Sequence, residues 1–249
     1  MRTALITGSA HGIGRATAQE LIRQGWRVHG IDREMAHIES AEYFHHILDL
    51  TSDGVFELIL GFFKEIEPEL IIHSAGVGIM QQFAASTLEA DKKLMDLNVW
   101  AAYAVVKAFV QCVMDRKEPQ HLILITSLAG LSATPGMALY SGSKHFVGGL
   151  AKSVSGELAV DAPWAKVSTI APPPVKTKFR EHSGRLGRSR PIRGILEVDT
   201  VVKEILAVYQ RPKLDRIPGR LQRWAFLFLR PLIPAAYLSR RIYSVSKQD

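Results

Sequence analysis

The amino terminus narrows the fold most. Thr3 to Thr7 is a short apolar run, TGSAHGIG follows it directly, and from Ile13 to Arg23 the apolar positions take up a helical period. Strand, glycine turn and helix in that order suit a phosphate. Gly8, Gly12 and Gly14 let the backbone turn tightly and approach a pyrophosphate, whose charge then meets the free N–H groups and positive dipole end of the helix. The spacing differs from GxGxxG, and a glycine turn alone is a weak signal. Between a buried strand and a helix, however, it points to dinucleotide binding. Later apolar runs at Arg27 to Ile31, Phe44 to Leu48, Leu70 to Ile72, His121 to Ile125, Lys166 to Ile170 and Lys213 to Ile217 repeat the strand pattern. Helical patterns separate them: Val55, Phe56, Ile59 and Phe63; then Leu94 to Met114; then Val198 to Tyr209. This alternation predicts an α/β fold, a Rossmann-like doubly wound parallel sheet of about seven strands in a single domain.

A chain of 249 residues, 47% hydrophobic, suits one large domain with a sizeable core. No run of about 18 consecutive apolar residues occurs, and MRTALITGSA enters the first strand without a signal-peptide pattern, so a cytoplasmic protein is expected. The single cysteine, Cys112, lies in an apolar helical stretch and reads as a buried structural thiol. His73 reads as a satisfied strand-end histidine; no second histidine or cysteine completes a metal site, and no metal is expected. Charge is uneven. Residues 1–175 carry 14 Lys and Arg against 18 Asp and Glu, whereas residues 176–249 carry 17 against 6, so the net +7 belongs to the last third.

The stretch from Gln120 to Lys144 carries the chemistry. Thr126 and Ser127 fall at the carboxyl end of a strand, the edge where open α/β sheets bind ligands. After a loop marked by Gly130, Pro135 and Gly136, Tyr140 and Lys144 stand four apart on one helix face. A free phenol, with a pKa of about 10, is a poor proton donor near neutrality, and a neighbouring ammonium is expected to lower it. Ser127 would hold the reacting oxygen. Asn98, an amide within an apolar helix, needs hydrogen-bond partners. Asp32 closes the second strand about twenty residues beyond the glycine loop, where a carboxylate accepts from ribose hydroxyls and favours NAD. Arg33 and His11 pull toward the 2′-phosphate of NADP. Asp49 is placed to meet the adenine edge, and the small residues of HSAG, His73 to Gly76, let backbone pass close to a cofactor. APPPVKTKF, after the sixth strand, forms a shaped loop at the ligand edge.

From Thr3 to about Gly219 these residues resemble the short-chain dehydrogenase/reductase family, whose TGxxxGxG loop corresponds to Thr7 through Gly14. Its Asn, Ser, Tyr and Lys set falls on Asn98, Ser127, Tyr140 and Lys144 in order and spacing. The resemblance implies hydride transfer between a nicotinamide and a carbonyl or secondary alcohol, with Tyr140 as acid or base. It implies that Lys144 holds the ribose and tunes the phenol, that Ser127 and Tyr140 meet the substrate, and that Asn98 orders the helix and a proton-conducting water. Cofactor contacts carried over from it are Gly8, Ser9, His11, Gly12, Ile13, Gly14, Asp32, Arg33, Asp49, Leu50, Ala75, Gly76, Tyr140, Lys144, Val175 and Thr177, for NAD or NADP. Two departures stand out. HSAG replaces NNAG, so Ser74 stands where an asparagine ties strands together. Pro172-Pro173-Pro174-Val175-Lys176-Thr177 replaces PGxVxT, and Pro173 forces a different loop path.

The domain is expected to span 1–219, with residues 176–193 as a basic substrate lid. Seven of that lid's eighteen residues are Lys or Arg, so it is either a solvated segment or one that recognises an acyl-CoA or carrier-bound substrate. Residues 220–249 form a basic amphipathic extension. If the stretch from Leu221 is helical, Arg220, Arg223 and Arg230 fall within about 80° of one another. Leu221, Trp224, Ala225 and Phe228 share another face, and Leu227 falls among the arginines. Pro231 and Pro234 end or kink this helix, which is too short to span a bilayer. Residues 220–241 then either lie peripherally on a membrane or pack on the domain or a second subunit, since homo-oligomers are usual in the family. No nucleic acid partner is expected. The alternative to catalysis is an NAD(P)-binding sensor on the same fold.

Overall fold

The structure is a computed structural model, and it describes residues 1–177 and 194–247. Seven strands, β1 (Thr3–Thr7), β2 (Arg27–Asp32), β3 (Tyr43–Ile47), β4 (Leu70–His73), β5 (Gln120–Ile125), β6 (Ala165–Ile170) and β7 (Asp215–Arg216), form one parallel sheet. Their order is β3-β2-β1-β4-β5-β6-β7. The winding reverses between β1 and β4, and their carboxyl ends frame the crevice where such sheets bind ligands. Residues alternate between the faces with period two. Leu5, Ile71, Leu122 and Leu124 point into one core, and Ala4, Ile6, Leu70, Ile72, Ile123 and Ile125 point into the other.

Helices cover both faces. On one lie α2 (Val55–Ile66), α4 (Ala101–Arg116) and α5 (Ala138–Asp161); on the other lie α1 (Gly12–Arg23) and α6 (Val198–Gln210). Phe63 and Phe109 fill the first core, Trp26 and Leu21 the second, all of them fully buried. Burying such side chains stabilises by roughly 1.5–3 kcal/mol each. Cys112 lies in the first core, where burial raises its thiol pKa. The expected helix from Leu94 to Met114 begins earlier: α3 (Leu88–Met95) continues through a π-turn, Asp96–Trp100, into α4. Asn98 therefore sits inside a helix rather than near its start. From Leu88 to Arg116 this helix is long and apolar enough to cross a membrane, yet more than half of its most apolar window is buried in the domain.

Beyond Gly219 the chain forms α7 (Arg220–Trp224), a π-turn (Ala225–Leu229) and a 3₁₀ turn (Arg230–Leu232) that includes Pro231. It extends at Ile233 and turns helical again as α8 (Ala235–Lys247), which periodicity alone did not mark. Of the alternatives open for the apolar stripe, packing on the domain is not found among the described residues. Leu221, Trp224 and Phe228 are exposed, while Arg223 reaches toward Glu204. The carboxylate of Glu204 draws the arginine side inward and leaves the apolar side out.

Three histidines are held neutral within the fold. Burial, helped by the Lys144 charge, lowers His73 to about 3; burial and Lys166 lower His121 to about 4; burial, His46 and Arg27 lower His29 to about 4. His73 shares a 2.8 Å hydrogen bond with Thr7 Oγ1, His121 one of 2.8 Å with Ser168 Oγ, and His29 one of 3.0 Å with His46. Because the unfolded chain takes up these protons near pH 6.5 and the folded one does not, their stability contribution is complete above about 6.5 and declines as pH falls toward 4. Guanidinium denaturation midpoints are expected to drop steadily from pH 7 to pH 5; a flat profile over that interval contradicts the buried neutral state.

Candidate active site

The crevice is built by close backbone approach. Gly8 has φ +70°, and a Cβ there would stand 2.7 Å from the Ala75 nitrogen; a Cβ on Gly14 would stand 2.1 Å from the Gly8 carbonyl oxygen. Neither position has room for a side chain. Gly12 lies against Thr177, which brings the PPPVKT loop to the glycine turn. His11 gives α1 no side-chain cap and its first turn has no acidic residue, so the first amides meet the crevice uncompensated. A pyrophosphate fits this arrangement. Asp32 Oδ2 accepts from the Ala10 N–H at 3.0 Å and Oδ1 from the Glu34 N–H at 3.1 Å, which locks the end of β2 to the glycine loop.

Other predicted cofactor contacts are divided by the geometry. His11 Nε2 lies 2.9 Å from Glu34 Oε2, and Arg33 Nε lies 3.8 Å from Glu34 Oε1. Glu34 thus engages both side chains that pulled toward NADP. Sequence reasoning missed it; its position two residues after Asp32 was the available signal. The side chains of Ser9 and Leu50 turn away from the site. Ser9 is buried and accepts from the Tyr43 hydroxyl at 3.1 Å, and Leu50 packs in the first core. Ile13 packs against the second core. Asp49 Oδ1 accepts from both the amide and hydroxyl of Thr51, which holds its carboxyl below the usual range.

The strand tie expected of residue 74 is made elsewhere: Thr7 Oγ1 bonds both His73 and the Ala75 N–H. Ala75 and Gly76 follow directly at the edge. Asn98 spends its amide fully, accepting from the Val77 N–H at 2.8 Å and donating to the Val77 carbonyl at 2.8 Å and to Ser143 Oγ at 3.1 Å. A Cβ on Gly76 would lie 3.0 Å from Asn98 Oδ1 and 3.2 Å from Lys144 Nζ. Asn98, Gly76 and Lys144 therefore form one packed unit. The Pro-rich loop runs beside β5, with the Leu128 N–H donating to the Pro172 carbonyl. Val175 pairs with Leu196, and Thr177 remains on the crevice. Of the expected lid, residues 178–193 lie outside the described residues.

Ser127, Tyr140 and Lys144 are brought together as expected. Ser127 follows β5, hydrogen-bonds the Tyr140 phenol and accepts from the Ala129 N–H. Lys144 Nζ donates to the Ile125 carbonyl at 3.1 Å and lies 5.9 Å from the Tyr140 ring centroid. Burial lowers Lys144 to about 8. The expectation that the ammonium depresses the phenol needs correction: burial raises the Tyr140 pKa, and the Ser127 hydrogen bond offsets that only in part. Desolvation outweighs the ammonium, which is itself drawn toward a backbone carbonyl. A small cleft reaches Tyr140, with Ile79, Phe83, Leu94, Met137 and Leu139 on its walls and Gln81, Ser86 and Asp91 as polar points. Among the described residues no cluster of His, Cys, Asp and Glu could hold a metal.

Comparison with known proteins agrees with this geometry. The family model described as short chain dehydrogenase matches residues 2–185. The chain is 28% identical over 241 residues to the uncharacterized oxidoreductase C162.03 of Schizosaccharomyces pombe, covering 88% of this chain and 80% of that protein. It is 27% identical over 215 residues to the NADPH carbonyl reductase 2 of Sus scrofa, covering 82% and 86%. Among solved structures, a short chain dehydrogenase from Burkholderia cenocepacia J2315 in complex with NADP superimposes with a TM-score of 0.79 at 20% identity, covering 97% of this chain and 99% of that one. 4-Hydroxyisoleucine dehydrogenase complexed with NADH gives 0.74 at 19% identity, covering 87% and 96%. Seven parallel strands, a glycine turn at their winding reversal and a Ser-Tyr-Lys cluster on the same edge, matched by a family model over most of the chain, place it in the short-chain dehydrogenase/reductase family of oxidoreductases.

Proposed function

We propose that this protein is a catalytically active NAD-preferring dehydrogenase or reductase acting on a carbonyl or secondary alcohol borne on an apolar body. The observation that carries the reading is the meeting of half-buried Ser127 with buried Tyr140 and Lys144, beside a cleft with mostly apolar walls. Gly8, Gly12, Gly14 and the first turn of α1 would hold the pyrophosphate, Asp32 the adenosine ribose, and Val175 and Thr177 the carboxamide. The bound dinucleotide would supply or accept the hydride.

This chain's own residues would do the rest. Ser127 would donate to the substrate oxygen, and Tyr140 would give it a proton in reduction or take one in oxidation. Lys144, as a cation, would hold ribose hydroxyls and favour the phenolate. Asn98 would fix the backbone at Gly76 and Val77 so that Lys144 keeps its place. Relatives named for NADPH and neighbours bound to NADH or NADP support either cofactor in principle. Asp32 and Glu34 favour the one without the 2′-phosphate, since two carboxylates there would repel it. Exposed Trp100, Met114 and Phe146 on and beside α4 and α5 support self-association. A carrier-bound or acyl-CoA substrate would rest on the basic segment 176–193. A cytoplasmic setting, with contact to a membrane surface, completes the reading.

Tyr140→Phe is expected to lower kcat by about 10²–10⁴ across a panel of ketones and alcohols while leaving NADH affinity unchanged. Firm NADH binding without turnover in the parent would instead favour the sensor. The reductive rate is expected to decline as pH rises through about 8, where Lys144 loses its charge. A rate constant to pH 9.5 argues against that cation. Parallel calorimetric titrations with NADH and NADPH should show NADH ahead, and Glu34→Ala should tighten NADPH by about tenfold. Preference for NADPH in the parent would refute the assignment to NAD.

A further inference from the structure

The segment from Arg220 to Leu232 turns its apolar stripe to solvent. Leu221 is 72% exposed, Trp224 52%, Phe228 60% and Leu232 78%. The Trp224 and Phe228 ring centroids are 6.0 Å apart, and Leu221 and Leu232 extend this exposed apolar run at either end. The inward side carries polar anchors beside half-buried Ala225 and Phe226. Arg223 lies 4.0 Å from Glu204, and Arg230 donates from Nε to Ser132 Oγ at 3.1 Å and from a terminal nitrogen to the Ile233 carbonyl at 3.2 Å. This reverses the usual orientation of a surface helix, and an exposed apolar stripe of this kind marks an interaction face.

Charge identifies the partner. From Ile217 to Gln248 the chain carries Arg220, Arg223, Arg230, Arg240, Arg241 and Lys247 and no Asp or Glu. Arg220, Arg240 and Arg241 are exposed. A second copy meeting this face by a two-fold axis would set like charges against one another. An anionic bilayer answers them and also receives the apolar stripe, with Trp224 and the exposed Tyr237 suited to headgroup depth.

Location gives the contact a purpose. Ser132, held by Arg230, belongs to the loop between Ser127 and Tyr140 that continues into the cleft wall at Met137. On the other side the Gln222 amide donates to the Gly194 carbonyl at 3.4 Å, and Gly219 lies against Leu196. The stripe is thereby anchored to the loop that leads into the cleft wall and, on its other side, beside the Val175–Leu196 pair. We propose that Arg220–Leu232 is a docking surface for anionic phospholipid bilayers, with Leu221, Trp224, Phe228 and Leu232 entering the headgroup boundary, and that docking sets the cleft mouth at the lipid from which apolar substrate enters. The entry step rests on the oxidoreductase reading; docking does not.

Co-sedimentation of the full chain with vesicles of phosphatidylcholine, alone or with about one third phosphatidylglycerol, tests docking directly. Binding is expected to be about tenfold stronger to the anionic vesicles and to weaken with salt. The double variant Trp224→Ser/Phe228→Ser is expected to lose it, and Arg240→Glu/Arg241→Glu to weaken it several-fold. These side chains are exposed, so thermal melts should match the parent. No sedimentation of the parent, unchanged binding by the double variant, or loss of a dimer in that variant by light scattering overturns docking. For entry, anionic vesicles are expected to lower KM for a long-chain ketone in the parent but not in the double variant, with NADH affinity unchanged. Vesicle binding with no such KM change overturns the entry step alone, and an inactive parent leaves the sedimentation result to decide docking.

Discussion

The carboxyl edge of this sheet depends on one buried amide. Asn98 is buried, and the Val77 backbone with Ser143 Oγ takes both of its N–H donors and supplies one donor to its oxygen. To reach Val77, the long helix widens into a π-turn at Asp96–Trp100. To reach Ser143, it must lie against the turn of α5 that carries Tyr140 and Lys144. Three elements distant in sequence are thus fixed by a side chain that touches none of the reacting atoms. An unsatisfied buried amide costs about 1–3 kcal/mol, enough to favour this single arrangement over close alternatives.

Much of the scaffold was legible because period and punctuation are local properties. Thr3–Thr7 was placed to the residue, and Val55–Ile66 and Val198–Gln210 within a few, since apolar spacing and flanking glycines or charges act over one or two turns. The positions of Ser127, Tyr140 and Lys144 were legible for the same reason. What could not be read depended on distant partners. The π-turn carries Asn98 to Val77 and Ser143, partners that its own sequence does not name. Glu34 matters because β2 brings it beside His11, 23 residues away. Amphipathicity of the 220–232 stretch was evident, but which face looks inward was decided by Glu204 and Ser132. Periodicity identifies two faces and cannot say which is covered.

The electrostatics of Tyr140 and Lys144 show how burial competes with neighbourhood. Sequence spacing suggests a phenol made acidic by an ammonium. In the folded chain both groups are less than a tenth exposed, and desolvation pushes each toward its neutral form, the phenol up and the ammonium down to about 8. Their proton affinities therefore move apart, the phenol holding its proton more firmly and the ammonium less. Each group favours its neutral form, and neither holds the charge that its spacing alone implied.

The two ends of the sheet differ in a way that bears on solubility during synthesis. β7 is two residues long, both charged; Arg216 pairs with Glu204 and Asp215 with Lys152, and so short and charged a margin offers an incoming strand almost nothing to extend. At the opposite margin, β3 is five residues long with Phe44 and Ile47 exposed and no Asp, Glu, Lys or Arg among its residues. A partly folded chain would recruit a neighbour through β3. The exposed margins of this sheet are therefore unlike, apolar at β3 and charged at β7.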